Sequence, residues 1–134
     1  MLNTLKVLYI EDDKNTRDAL SYYLKKRTGK LIIAGMGTDA LEQYNIHNPE
    51  IIIVDLLLPD MNGLEVIKEI RENSKKSIII VGTPTWSQEV DKPAKNKIND
   101  EQVMYALHFY SGTHTEWLRE RVKEALKDLS LIHI

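Results

Sequence analysis

The chain has 134 residues, of which 43% are hydrophobic and 28% charged, and its formal net charge is −2. These values fit one globular domain and give no reason to expect binding to nucleic acid or to an anionic membrane surface. The chain has no cysteine, which excludes disulfides and thiolate metal sites. No apolar run approaches the roughly 20 residues that span a bilayer. We therefore expect a cytoplasmic protein.

Four apolar runs predict β-strands, at residues 7–10, 31–34, 51–54 and 78–81. The runs are continuous and rich in β-branched residues, a pattern typical of parallel strands covered on both faces. Helical spacing of apolar residues follows each of the first three runs. Strands that alternate with helices in this way indicate right-handed βαβ units and a doubly wound α/β sheet.

The predicted helices are defined by apolar residues at helical spacing and by the residues that stop or cap them. The first helix has Ala19, Leu20, Tyr23 and Leu24 before Gly29, and the second has Ala40, Leu41 and Tyr44 before Pro49. The third has Leu64, Val66, Ile67 and Ile70 after Gly63. The last has Leu118, Val122, Ala125, Leu126 and Leu129, with Thr115 as its N-cap.

Residues 82–114 interrupt this alternation. Pro93 stands where the middle of a fourth helix is expected, at a cost of about 3 kcal/mol, so we expect that helix to be short, displaced or frayed. Residues 105–110 fit a fifth strand. They also fit a helix capped by Asn99, with Gln102 completing a capping box. Local pattern alone does not decide between these two interpretations.

Acidic residues follow two of the predicted strands. Glu11, Asp12 and Asp13 come after the first strand, and Asp55 ends the third. The carboxyl ends of parallel strands meet at the edge of a sheet where ligands bind. Two acidic clusters at that edge suggest a divalent cation beside a nucleophilic carboxylate, whereas Asp13 is more simply explained as the N-cap of the first helix.

These residues resemble the receiver domain of two-component response regulators, which has the chemotaxis-receiver, flavodoxin-like fold. Glu11 and Asp12 match the acidic pair of that family, and Asp55, at the family's spacing, matches its phosphoacceptor. Residues 58–63, Leu-Pro-Asp-Met-Asn-Gly, are similar to its loop after the third strand. The resemblance implies a single receiver domain over residues 1–134, with five parallel strands, an irregular fourth βα unit and an atypical segment at 82–114. It also favours the strand interpretation of residues 105–110.

The resemblance also implies the chemistry. Mg²⁺ would be held by Asp12, Asp55 and the backbone carbonyl of Leu57, with Glu11 acting through a metal-bound water. Asp55 would accept a phosphoryl group from a sensor histidine kinase. Thr83 would supply a hydroxyl to that group, and Tyr105 would be the switch aromatic.

The lysine that the family carries at the end of its fifth strand has no match at the expected position. Lys92-Pro93 comes too soon after Asp55, and the position three after Tyr105 holds His108. Imidazole titrates near pH 6.5, so a histidine would replace the lysine only in part. We therefore expect phosphorylation to be retained and its coupling to the protein surface to be weaker or dependent on pH.

The resemblance implies a signalling domain and not an enzyme. Its partners would be a histidine kinase and a downstream protein, with no direct binding to nucleic acid or to a membrane and with a possible homodimer. One alternative is a pseudo-receiver that binds proteins without phosphorylation. Another is an ordinary receiver in which residues 82–114 have been altered. A metal-dependent phosphatase is disfavoured because Leu57 stands where a general acid would be needed.

Overall fold

The computed structural model describes residues 4–82, 100–107, 120 and 131–133. The chain divides into two units, Met1–Ile79 and Ile80–Ile134, and each is described by itself. Within the described residues no helix is both long enough and apolar enough to cross a membrane.

The first unit is built on parallel strands in the order β2-β1-β3, with the start of β4 next to β3. Strand β1 pairs with both neighbours, Leu8 lying opposite Ile32 on β2 and Ile52 on β3. The strand bounds are Lys6–Ile10 for β1, Lys30–Ala34 for β2, Ile51–Asp55 for β3 and Ile78–Gly82 for β4. All four predicted strands are therefore confirmed.

Three helices follow the first three strands, α1 at Lys14–Lys25, α2 at Gly37–His47 and α3 at Gly63–Asn73. Asp13 caps α1, since its Oδ1 accepts a hydrogen bond from the backbone N–H of Thr16 at 2.7 Å. A capping box formed by Asn62 and Glu65 starts α3, and Asn48 in the left-handed conformation ends α2.

Strand β1 and helix α3 contribute the largest groups of buried side chains to the core of the first unit. Val7, Leu8, Tyr9 and Ile10 are all buried, and Val66, Ile67 and Ile70 of α3 are buried as well. The apolar residues that identified α1 do not form its buried face, because Leu20 and Tyr23 are 38% and 58% exposed and Ser21 is the buried residue of that helix. Helical spacing of apolar residues identified the helix here but did not identify its buried face.

The second unit contains the rest of β4, then β5 at Val103–Leu107 and β6 at Leu131–His133, in the order β4-β5-β6. The pair β5 and β6 is parallel. The strand interpretation is thus confirmed for residues 105–107, whereas residues 108–110 lie outside the described part of the chain. A five-stranded parallel α/β sheet of flavodoxin-like type is also confirmed, and β6 lies beyond the five predicted strands. The fourth helix and, apart from Glu120, the last helix fall outside the described residues.

Gly63 brings the start of α3 directly against the end of β3. A Cβ atom at this position would overlap the carbonyl oxygen of Asp55 and would lie 2.9 Å from the Cα of Leu56. The backbone N–H of Gly63 donates to the carbonyl of Leu56 at 2.9 Å. Only glycine allows this approach, so the end of β3 is fixed by backbone packing.

We predict that Gly63→Ala lowers the free energy of unfolding by about 2 kcal/mol, because the added methyl group meets backbone atoms that cannot turn away. Urea unfolding of the two proteins measures the difference. Gly35→Ala is the matched control, since its Cβ would meet a side-chain atom and not the backbone, with Arg17 Nη1 at 3.0 Å. Equal losses in both variants would contradict the explanation.

Candidate metal and phosphoacceptor site

The acidic residues meet because β1 and β3 are neighbours in register. Ile10 at the end of β1 lies opposite Val54 on β3. Glu11 and Asp12 follow Ile10, and Asp55 follows Val54, so all three extend from the same edge of the sheet. One carboxylate oxygen from each of the three lies within 4.8 Å of the others. This is the cluster that the two acidic motifs predict.

Burial and mutual repulsion disfavour ionisation within the cluster. Burial, followed by the charges of Asp55 and Asp12, raises the pKa of Glu11 to about 7, against a hydrogen bond from the backbone of Asp13. Burial and the charge of Asp12 raise the pKa of Asp55 as well. The pKa of Tyr9 is also raised, by burial and then by Glu11 and Asp55. A bound cation would relieve all three effects.

Backbone hydrogen bonds hold the acids in place. Arg17 Nη1 donates to the carbonyl oxygens of Glu11 at 2.8 Å and Asp12 at 2.9 Å. The backbone N–H of Asp13 donates to Glu11 Oε1 at 3.1 Å, and that of Leu56 donates to Asp55 Oδ1 at 2.9 Å. The carboxylates are therefore positioned before any ligand binds.

The loop after Asp55 is closed at its base and held at its tip. Leu57 and Asn62 form an isolated antiparallel bridge at the base. At the tip, Asp60 accepts from the backbone N–H groups of Gly37 at 2.7 Å and Thr38 at 2.8 Å, and from Thr38 Oγ1 at 2.8 Å. These backbone bonds, that from Thr38 first, lower the pKa of Asp60 to about 2.

The donor set of the cluster fits Mg²⁺. All three side chains offer carboxylate oxygens, which hard divalent cations prefer, and few carboxylates leave room for the waters that Mg²⁺ retains. Burial raises the pKa of Glu11 and of Asp55, and a cation bound beside them would favour their ionised form. The residues present therefore suit the cation that the sequence predicts.

The structure describes some of the predicted site residues and leaves others outside the described part of the chain. Glu11, Asp12 and Asp55 come together, and Leu57, whose side chain is exposed, lies two residues beyond Asp55. Tyr105 is buried in β5 of the second unit. Thr83 and His108 lie outside the described residues and stay predictions.

Sequence reasoning missed the contacts of Asp60, which hold the loop after Asp55, and of Arg17, which hold the segment of Glu11 and Asp12. A usable signal for Asp60 was the start of α2. Met36 is the N-cap there and makes no side-chain capping bond, so the first amides of α2 need an acceptor from elsewhere in the chain. Asp60 is that acceptor. Arg17 had no comparable signal, because a helical arginine is ordinarily a solvent-exposed residue.

A sequence model of the response regulator receiver domain matches residues 7–103. The chain belongs to this family. Receiver domains are signalling modules of two-component systems that bind Mg²⁺ at an acidic pocket and interact with histidine kinases and downstream effectors.

Solved receiver structures share this fold. The response regulator TrrA of Thermotoga maritima, in complex with Mg²⁺ and beryllium fluoride, is 25% identical with a TM-score of 0.60, over 91% of this chain and 99% of that one. The chemotaxis response regulator CheY4 of Vibrio cholerae is 22% identical with a TM-score of 0.64, over 91% of this chain and 98% of that one.

A second similarity is of a different kind. Endoglucanase A of Evansella cellulosilytica is 55% identical over 62 residues, which are 46% of this chain and 13% of that protein. Endoglucanase 5 of Pectobacterium carotovorum subsp. carotovorum is 50% identical over 63 residues, 47% of this chain and 12% of that protein. The receiver match leaves only residues 1–6 before it and residues 104–134 after it. Neither segment is long enough for a match of 62 residues. The two similarities therefore share residues.

We predict that Glu11→Gln stabilises the metal-free receiver domain at neutral pH. The folded state keeps a proton on Glu11 up to about pH 7, whereas the unfolded chain releases it near the ordinary pKa of 4.5. Wild-type stability therefore falls as the pH rises through this window, and the variant avoids that loss, by about 1 kcal/mol after solvent screening.

Urea unfolding with chelator at pH 5 and pH 8 measures the difference. Glu42→Gln, at an exposed position on α2, removes the same charge away from the cluster and serves as the control. A difference between Glu11→Gln and wild type that stays constant over this range would contradict the prediction.

Proposed function

We propose that this receiver domain accepts a phosphoryl group on Asp55 from a phosphohistidine of a sensor histidine kinase, in a Mg²⁺-dependent reaction. The observation that carries the proposal is the meeting of Glu11, Asp12 and Asp55, each offering an oxygen within 4.8 Å of the others. The resulting change of conformation would be read by a downstream protein. Receiver domains of this family have partners of both kinds.

Asp55 would be the nucleophile. One of its carboxylate oxygens forms a bond to phosphorus while the phosphorus–nitrogen bond of the phosphohistidine breaks, and the released imidazole takes up a proton. The backbone N–H of Leu56 donates to Oδ1 and so fixes the carboxylate plane. The carboxylate stands at the edge of the sheet, at the end of β3, where a donor can reach it.

Asp12, Asp55 and the carbonyl of Leu57 would hold Mg²⁺, with Glu11 beside them. When bound, the cation neutralises charge on the phosphoryl oxygens and on the acids. Arg17 keeps the segment of Glu11 and Asp12 in place through two backbone carbonyls. The chain itself thus supplies the nucleophile, the metal ligands and their orientation.

The switch is proposed at residues of the second unit. Thr83 would donate its hydroxyl to the phosphoryl group, and Tyr105 would respond as the switch aromatic. His108 would take the place of the family lysine. A histidine in that role makes the response dependent on pH, because its positive charge is lost above about pH 6.5.

A pseudo-receiver is the second candidate, and the endoglucanase similarity favours it. The acidic residues, the loop of residues 58–63 and Thr83 all fall between Glu11 and Thr83, and of the receiver residues only the proposed switch aromatic, Tyr105, comes later. We infer that the endoglucanase-like stretch takes in the C-terminal part of the chain, where the family lysine is also missing. A receiver whose C-terminal part has another origin would keep the acidic cluster and lose the transmission of the signal. It would act through protein contacts alone.

We predict that incubation with acetyl phosphate and Mg²⁺ adds one phosphoryl group per chain, and intact mass spectrometry measures the addition. Asp55→Asn should show none, because the amide is not nucleophilic. Wild type with excess chelator should also show none, since the phosphoryl oxygens then repel the cluster. A folded wild-type protein that gains no mass would contradict the phosphoacceptor function and favour the pseudo-receiver.

A further inference from the structure

Asp60 connects the loop after Asp55 to α2, a helix that contributes none of the proposed metal ligands. Its two carboxylate oxygens accept three hydrogen bonds from Gly37 and Thr38, at 2.7 to 2.8 Å, although the residues are more than 20 positions apart in the chain. Amides in the first turn of a helix otherwise have no partner within the helix. The tip of the loop therefore serves as the N-terminal cap of α2.

A second contact holds the same two segments together. A Cβ atom on Gly37 would overlap the side chain of Met61 and would lie 3.0 Å from Cγ2 of Val66. Gly37 is buried, so the first residue of α2 packs directly on the loop and on α3. The loop tip is thus joined to α2 both by the three hydrogen bonds to Asp60 and by the close apolar contact at Gly37, which together restrict its movement.

The base of the loop is fixed independently. Gly63 packs against Asp55, the bridge between Leu57 and Asn62 closes the loop, and Asn62 Oδ1 accepts from the backbone N–H of Leu64 at 2.8 Å. Leu57, whose carbonyl is proposed as a metal ligand, belongs to this base and lies three residues before Asp60 at the tip. Its backbone is therefore held directly by the bridge to Asn62 and, through residues 58–60, by the contacts of Asp60 with α2.

We propose that Asp60 is a positioning residue that sets the Leu57 carbonyl for Mg²⁺ by fastening the loop tip to the N-terminus of α2. The inference rests on the proposed phosphoacceptor function and adds to it a residue outside the cation's own ligands. Residues that orient metal ligands from outside commonly change metal affinity by tenfold or more when they are removed. Here the orientation acts through backbone and not through a ligand side chain.

The test is the Mg²⁺ concentration that gives half-maximal phosphorylation by acetyl phosphate. We expect Asp60→Ala to raise it about tenfold and to leave the rate at saturating Mg²⁺ nearly unchanged. Asp60→Asn retains one acceptor oxygen and should show a smaller increase. A role in stability alone would lower the melting temperature without moving the Mg²⁺ requirement, and that result would overturn the proposal.

Asp39→Asn is the matched control. Asp39 also lies in the first turn of α2, but its carboxylate accepts from Gln43 on the same helix, at 3.3 Å, and not from the loop. The control removes the same charge from the same helix end. An equal increase in Asp39→Asn and Asp60→Asn would show a general charge effect and overturn the proposal.

Direct measurement separates this inference from the proposed function. If the wild-type protein takes up no phosphoryl group, the proposed function fails, and titration calorimetry with Mg²⁺ alone then tests the positioning role. Weaker Mg²⁺ binding by Asp60→Asn, with faster amide exchange at residues 56–60, would support it. Unchanged binding would overturn it. If Asp60→Ala does not fold, Asp60→Asn carries the same comparison.

Discussion

The burial and crowding of three carboxylates is the constraint around which the candidate site is built. Glu11, Asp12 and Asp55 are brought within 4.8 Å of one another at the edge of the sheet, where burial raises the pKa of Glu11 to about 7. A group whose charge is this unfavourable weakens the fold in the absence of a cation. The surrounding chain must therefore hold the acids in place, and it does so with hydrogen bonds that each involve a backbone group.

Glycine and helix termini provide those contacts. Gly63 lets α3 begin directly against the carbonyl of Asp55, and Gly37 lets α2 begin directly against Met61. Asp60 then joins the loop to α2 through three hydrogen bonds, and Arg17 holds the two carbonyls before α1. The acidic residues would perform the proposed chemistry, whereas Gly63 and Arg17 contact the backbone of the acids and Gly37 and Asp60 hold the adjoining loop. Their roles are geometric, and substitutions at them should alter metal binding before they alter chemistry.

The sequence was sufficient for the strands, the first three helices and the acidic cluster, because continuous β-branched runs and strand-end acids have one common structural explanation. It was insufficient where tertiary contacts decide. Leu20 and Tyr23 follow helical spacing and are nevertheless exposed, while Ser21 is buried. The sequence pattern marked Asp60 as an ordinary loop residue. Its role depends on Gly37, 23 residues earlier, where α2 begins without a side-chain cap from its own N-cap residue. For the segment at Tyr105 the local pattern fitted strand and helix equally, and only the resemblance to receiver domains favoured the strand that the pairing with β6 confirms.

The central claim is that Asp55 itself carries the phosphoryl group, and mapping the modified residue tests it most directly. Borohydride reduces an aspartyl phosphate to homoserine, which peptide mass spectrometry can locate after digestion of the phosphorylated chain. The account predicts homoserine at position 55 and unmodified residues at Glu11, Asp12 and Asp60. Reduction at another residue, or none in a chain that has gained a phosphoryl group, would contradict it.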